Sequence, residues 1–370
     1  MIPNSRRQFV KKGLAASAWV VFADSFNRQF HEKLSRQKPA SWKELVDYAR
    51  WSPTIHNLQP HKLKIISETE AELYYDPSRL LPVGDPNAIF VTVALGIFIE
   101  QLSIAAAYTN QAIIIKKNFG PVYTKAGELQ KFAQLQLTKR EGREELDREL
   151  IKKRKTSRLH YDGRTLGDGL LSSLQTEALK SGHEFFWSSN HGLTNQIIDL
   201  NQQTLFEDLQ SRADREELNA LFRYDDTEAA IKKDGLWSKC MCFPGKLMKS
   251  VFTDHERWTH GLRKILLESY YKGGFKGSRT ICWIGGRFDD TSDWVVAGRT
   301  LARLWLMLTK EDAYIHPFGS LITNEGAYRK INELFTQPTA GKKIWMIFRA
   351  GYSKEPARSY RLSTDEIIIN

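Results

Sequence analysis

With 370 residues, 41% of them hydrophobic, the chain has material for two ordinary domains or one large one around a sizeable core. Its formal net charge of +11 is spread along the chain without a basic run interleaved with aromatics, which speaks against nucleic acid and suits a small anionic ligand. Three cysteines, Cys240, Cys242 and Cys282, exclude a disulfide framework.

The N-terminus reads Ser5-Arg-Arg-Gln-Phe-Val-Lys11 and runs apolar from Gly13 to Ala23. Twin arginines ahead of a short, weakly hydrophobic segment are similar to a twin-arginine export signal; the alternative is a basic first helix. The expectation is a signal over 1–30, read by the export machinery and leading to the periplasm, with a retained membrane anchor left open. Residues 41–51 then predict a helix with Trp42, Leu45, Val46 and Ala49 on one face. Lys62–Ser67 and Ala71–Asp76 read as short strands, and Leu80–Pro86 as a loop. Residues 88–109 are apolar and long enough to tempt a membrane reading. Glu100, Gln101 and Ser103 inside them point instead to a helix buried between two layers of a core.

A strand at Ile113–Lys116 follows, and the charged stretch 126–153 predicts a helical connection. The second part holds a helix at Leu170–Ser181, a strand at Glu184–Trp187 and a helix at Leu193–Leu209. Residues 211–255, with Asp234-Gly235, Pro244 and Gly245, read as a long irregular insertion shaped like a lid. Asp225-Asp226 inside it reads as a helix cap. Beyond lie helix 257–270, strand Thr280–Ile284, helix Trp294–Leu308, strand Ala313–His316, helix Glu325–Phe335 and strand Ile344–Arg349. The order is α+β without the regular alternation of a doubly wound sheet, and no strand is followed by Gly-x-Gly-x-x-Gly. The apolar helices 88–109 and 294–308 each precede a strand and read as counterparts in two related halves, 31–145 and 146–370.

Four segments carry candidate chemistry. Trp51-Ser-Pro-Thr-Ile-His-Asn-Leu-Gln-Pro-His61 follows a helix and enters a strand. Ser-Pro ends the helix, and Thr54 and Asn57 place short polar side chains on the loop. Ile151-Lys-Lys-Arg-Lys-Thr-Ser-Arg158 brings guanidinium and hydroxyl groups together, a set that suits a phosphate, though alone it reads as a solvated basic helix end. His316-Pro-Phe-Gly-Ser320 sits between a strand and a helix, and Arg349-Ala-Gly-Tyr352 leads to Arg358-Ser-Tyr-Arg-Leu362.

Together these segments resemble the nitroreductase superfamily. The first is similar to its flavin-contacting loop, with Thr54 for the usual Ser and His61 for the usual Trp. The second resembles its phosphate-holding Arg-x-Ser/Thr-x-Arg/Lys element, the third its Pro-x-x-Gly loop with altered spacing, and the fourth its closing basic segment. The arrangement resembles Acg-type proteins, in which one chain holds two nitroreductase-like halves as an intrachain pseudo-dimer. The resemblance implies a monomer that binds FMN non-covalently. Arg154, Thr156, Arg158 and Arg361, with Arg358 as second choice, would hold the phosphate. Pro53, Thr54 and Asn57 would flank the ribityl chain and ring edge, and Pro317 and Gly319 would lie near N5. It names no catalytic side chain and implies a small aromatic or quinone acceptor. Because an exported protein meets little NAD(P)H, a flavin-sequestering or storage protein without turnover is the alternative, with 211–255 covering the ring.

Other constellations fall away. His255, Glu256 and His260 do not share a helical face, so no metal is expected. Cys240-Met-Cys242 reads as ordinary thiols. Trp237 and Phe243 are candidates for covering a planar ligand or for the core.

Overall fold

The computed structural model describes residues 39–370; the export reading of residues 1–30 lies outside them. Helix α1 (Trp42–Ala49) starts at Ser41, whose hydroxyl accepts the Glu44 N–H while the Glu44 carboxylate accepts the Ser41 N–H. This reciprocal cap fixes the start of the helix. Trp42, Leu45, Val46 and Ala49 are buried, as their spacing predicts. In chain order β1 (His61–Ile65), β2 (Glu70–Tyr75), α2 (Ile89–Ala107), β3 (Gln111–Asn118) and β4 (Gln130–Lys139) follow. Then come α3 (Asp168–Leu179), β5 (Glu184–Ser188), α4 (His191–Asp208), α5 (Arg212–Leu221), β6 (Phe222–Arg223) and α6 (Asp226–Lys232). The remainder holds β7 (Leu236–Trp237), α7 (Gly245–Thr253), α8 (Gly261–Gly273), β8 (Thr280–Gly286), α9 (Thr291–Lys310), β9 (Tyr314–Pro317), α10 (Glu325–Leu334), β10 (Lys343–Gly351) and β11 (Ile368–Ile369).

Two sheets organise these elements. One runs β11-β1-β2-β4-β3 and the other β5-β8-β10-β9. Within these two sheets pairing is antiparallel except at β11, which lies parallel to β1 with Leu63 opposite Ile368. The C-terminal end of the chain thereby completes the sheet begun near its start. The expected α+β class is what the chain adopts.

Helices α2 and α9 join the two sheets. Val91, Leu95, Phe98 and Leu102 of α2 enter the core of the first sheet, and Leu301, Leu304 and Leu308 of α9 enter that of the second. Val93 and Ile97 cross into the second core, and Val295 and Leu306 into the first. Helix α2 is apolar enough to span a membrane, but 89% of that stretch is buried inside the protein, in line with the buried-helix reading. A Cβ on Gly96 would meet the Val295 carbonyl oxygen at 2.4 Å, and one on Gly298 the Val93 carbonyl oxygen at 2.0 Å. The same Val-x-x-Gly spacing thus serves both partners, and each glycine faces the other helix's valine. Beside the crossing, Glu100 of α2 takes Arg299 at 2.7 Å and Arg303 at 3.0 Å, and Arg303 also reaches Glu144 and Glu177. This satisfies the charge that breaks the apolar run of α2.

Two expectations are overturned. The stretch 126–153 is mostly not helical. Phe132, Leu135 and Leu137 turn inward along β4, a strand spacing with one bulge that the surrounding charges mask, and only Glu149–Lys153 makes a helical turn. Residues 211–255 are not irregular. Ser211 caps α5 by accepting the Asp214 N–H, and Asp225 caps α6 by accepting the Glu228 N–H. The cap expected at Asp225 is therefore real, and it opens one of several short helices whose length hides their periodicity. The parallel pair β6–β7 is held by Arg223, which grips Asp234 at 2.7 Å.

Candidate functional site

The loop after α1 gathers three non-glycine residues in left-handed backbone. His56, Asn57 and Gln59 have φ of 46°, 58° and 55°, in the left-handed region that side chains other than glycine seldom enter. A framework holds them there. The Gln59 N–H donates to the Thr54 hydroxyl at 3.0 Å. The buried Gln59 amide donates to the carbonyls of Asn57 and Lys233 and accepts the Leu362 N–H at 2.8 Å. One side chain thus ties the loop to α6 and to the C-terminal segment. Such strain persists only where its surroundings over-determine it, and it gathers at binding sites.

Against this loop stands a cavity of about 110 Å³. Pro53, Thr54 and Asn57 line one side, Arg154, Thr156 and Arg158 a second, and Arg358, Ser359 and Arg361 a third. All seven residues predicted from the first, second and fourth segments therefore meet around one space, as does the second choice, Arg358. Arg154 follows the helical turn Glu149–Lys153 and sends Nη2 to the Trp51 carbonyl at 3.0 Å. Its guanidinium lies 4.5 Å from the Trp305 ring centre, and that of Arg358 lies 3.8 Å from the Trp51 ring centre. Thr156 is set by a parallel bridge to Ile315 of β9.

None of Arg154, Arg158, Arg358 and Arg361 makes a salt bridge among the described residues. Buried nitrogens stay without a partner: Nε of Arg154, Nε of Arg361, and Nε and Nη2 of Arg358. Burial and the neighbouring Arg361 and Arg358 push Arg154 well below the ordinary arginine range. Burial, then Arg358, brings Arg361 down to about 10. Burial, then Arg158, brings His56 down to about 4. Arg154 and Arg361 are thus cations taken from water with no carboxylate in a salt bridge to offset them, an arrangement that an anion in the cavity would relieve.

Beside this cavity lies another of about 1240 Å³, which His56 and Arg158 also line. Pro317 and Gly319, the remaining predicted residues, border this larger cavity rather than the small one. Its walls include Phe222, Phe243, Phe252, Tyr270, Tyr271 and Phe275. The segment expected to cover a ligand contributes Phe222, Phe243 and Phe252 to these walls. Arg349 and His316 lie at its border; Nε of Arg349 and Nδ1 of His316 are buried without partners. Phe243 lines the large cavity, and Trp237 lines the small one while its Nε1 bonds Asp226 at 3.2 Å.

Sequence reasoning missed Trp51, His56, Ser359, Arg349 and His316 as site residues. Only the crowding of His56 between Thr54 and Asn57 offered a signal. The Cys240 and Cys242 thiols are pushed up by burial, which keeps them protonated. Among the described residues no three His, Cys, Asp or Glu side chains gather to hold a metal.

No family model and no curated protein matches the chain. Among solved structures, a nitroreductase-like family protein from Bacillus cereus is 14% identical over 59% of this chain and 91% of its own, with a TM-score of 0.32. A nitroreductase with bound FMN from Desulfitobacterium hafniense is 10% identical over 59% of this chain and 96% of its own, with a TM-score of 0.36. An FMN-dependent nitroreductase from Mycobacterium smegmatis in complex with NADPH is 14% identical over 59% of this chain and 94% of its own, with a TM-score of 0.35. Similarities of this size assign neither a family nor a ligand to the chain.

Proposed function

We propose that the chain is a nitroreductase-like flavoprotein of the Acg type that binds one FMN non-covalently and serves as an oxidoreductase. The observation that carries this reading is the set of guanidinium groups of Arg154, Arg358 and Arg361, with buried unpartnered nitrogens and no salt bridge among the described residues, around a small polar cavity beside a large aromatic one. Orphaned nitrogens in the first cavity fit a phosphate, and the aromatic walls of the second fit a planar ring. Arg154, Arg358 and Arg361 would hold the phosphate with Thr156 and Ser359 beside them. Pro53, Thr54 and Asn57 would border the ribityl chain, and Pro317 and Gly319 the ring.

Bound there, FMN would supply two-electron redox chemistry, and the chain supplies binding, orientation and shelter from water. No side chain is assigned a proton-transfer role. The room in the larger cavity suits a small aromatic or quinone acceptor. The two halves, 31–145 and 146–370, are related in this reading. It is supported by the matching Val-x-x-Gly contacts of α2 and α9 and by β11 completing the first sheet. The working unit is then a monomer that imitates a dimer. The Arg6-Arg7 pair would direct it through twin-arginine export to the periplasm.

The test is the absorption spectrum of protein purified with FMN present. A yellow protein with one flavin per chain supports the proposal, and a colourless one ends it. A flavin reduced by dithionite but never by NADPH, with no acceptor turned over, would replace it with the storage reading.

A further inference from the structure

Helix α8 (Gly261–Gly273) shows water an apolar stripe. Leu262, Ile265, Leu266 and Tyr270 are 70%, 62%, 58% and 47% exposed. At 100° per residue the four fall within one face of the helix. Its opposite side is anchored by Leu267, which is buried, and by Tyr271, whose hydroxyl receives the Asn201 amide at 3.0 Å. Arg263 and Lys272 flank the stripe on its two sides. Residues 245–279 carry eight Lys and Arg against three Asp and Glu. Lys246, Lys249, Arg257, Lys264, Lys276 and Arg279 among them are exposed.

Isolated exposed leucines are ordinary; four large apolar side chains in one stripe, bordered by cations, are not. We propose that α8 docks the protein on an anionic lipid surface, lying in the plane of the interface with Leu262, Ile265 and Leu266 among the upper acyl chains and Tyr270, whose hydroxyl donates to the Cys242 carbonyl at 3.4 Å, at their edge. The charge decides the occupant. A basic rim around an apolar stripe complements anionic headgroups above hydrocarbon, which is the signature of interfacial helices. A second copy of this chain would bring the same basic rim against itself. Leu266 and Tyr270 also line the 1240 Å³ cavity. Docking therefore brings the rim of that cavity to the lipid surface, whatever occupies it.

The experiment uses the full chain and sedimentation with vesicles of phosphatidylcholine, either pure or carrying about 30% phosphatidylglycerol. The expected result is binding to the anionic vesicles that weakens in high salt, with far less binding to the neutral ones. Leu262→Glu with Ile265→Glu should lower the bound fraction about tenfold or more, since two anchors leave the hydrocarbon and two negative charges enter the interface. Both positions already face water and neither lines a cavity, so circular dichroism and FMN content should match the parent protein. No binding to anionic vesicles overturns the proposal. So does binding that the double substitution leaves unchanged, which would move the contact to another part of the chain, such as the apolar run from Gly13 to Ala23. A parent dimer that the substitutions convert to monomer, without loss of vesicle binding, would make the stripe a contact between copies instead.

Discussion

Gly298 lies so close to Val93 that a Cβ on it would stand 2.0 Å from the Val93 carbonyl oxygen. The contact lets α9 cross α2 at backbone distance and draws both sheets toward one seam. Gly298→Ala should therefore lose about 1–3 kcal/mol in urea unfolding, the ordinary cost of overpacking. Alanine's better helix propensity, worth roughly 1 kcal/mol, is included in that comparison. Gly169 sits in α3 with nothing within 4 Å of its would-be Cβ. Gly169→Ala should be neutral or mildly stabilising. Equal effects of the two changes would show that the crossing is not close.

This seam was only half legible in the sequence. Helix α2 announced itself by composition, and Glu100 argued correctly for burial, but neither glycine signalled that it touched the other helix. Close approach is a property of pairs that periodicity along one chain does not contain. The site was more readable, because its binding loops are short and each carries its polar residues close together. Arg154, Thr156 and Arg158 fall within five positions, and Thr54 and Asn57 within four. Arg349 and His316 were missed because both belong to apolar strands, where a buried polar side chain looks like an interruption. Strand β4 was lost for the reverse reason, its alternation being drowned by flanking charge.

Replacing Arg154 or Arg361 with Ala should weaken FMN far more than riboflavin, because only FMN carries the phosphate. The loss should be roughly 1.5–3 kcal/mol, the worth of a charge-assisted hydrogen bond. Titration calorimetry of the apoprotein with both ligands reads the difference directly. Parallel losses for the two would place these arginines away from the phosphate.

The same arginines repel one another when no anion lies between them. Inorganic phosphate should accordingly raise the melting temperature of flavin-free protein in a saturable way. Arg358→Ala should raise the melting temperature without phosphate and shrink the gain on adding it. Guanidinium groups with orphaned nitrogens are the source of both effects. A phosphate response unaltered by Arg358→Ala would assign the anion to another place on the surface.

His61 is wholly buried, stacks on Phe98 at 4.2 Å, and has no partner for either ring nitrogen. Burial, with a smaller contribution from Lys62, lowers it to about 3 from an unperturbed 6.5. The unfolded chain therefore takes up this proton first. The stability that depends on neutral His61 is complete above pH 6.5 and declines as pH falls toward 3. At pH 5 the decline amounts to about 2 kcal/mol. His61→Phe should fill the same space without the titration, so its advantage over the parent should be greater at pH 5 than at pH 8. Denaturant unfolding at the two pH values checks this, and an advantage independent of pH would mean that the folded histidine takes up its proton as readily as the unfolded one, through water or an acceptor that reaches the ring.

Gly319 borders the large cavity, its φ of −59° is open to any residue, and a Cβ there would meet nothing within 4 Å. The fold itself has no need of glycine at this position. Gly319→Val should thus leave unfolding stability within about 0.5 kcal/mol of the parent, as for a change that strains nothing. If the flavin ring lies against this backbone, the added methyl groups intrude on the ligand. FMN and riboflavin should then both bind about tenfold or more weakly, since small-to-large intrusion into a filled space costs roughly 1–3 kcal/mol. The pattern differs from that of Arg154→Ala, which spares riboflavin. Unchanged binding of both ligands by Gly319→Val would move the ring to a different wall of the cavity, and the phosphate site at Arg154, Arg358 and Arg361 would still stand on its own test.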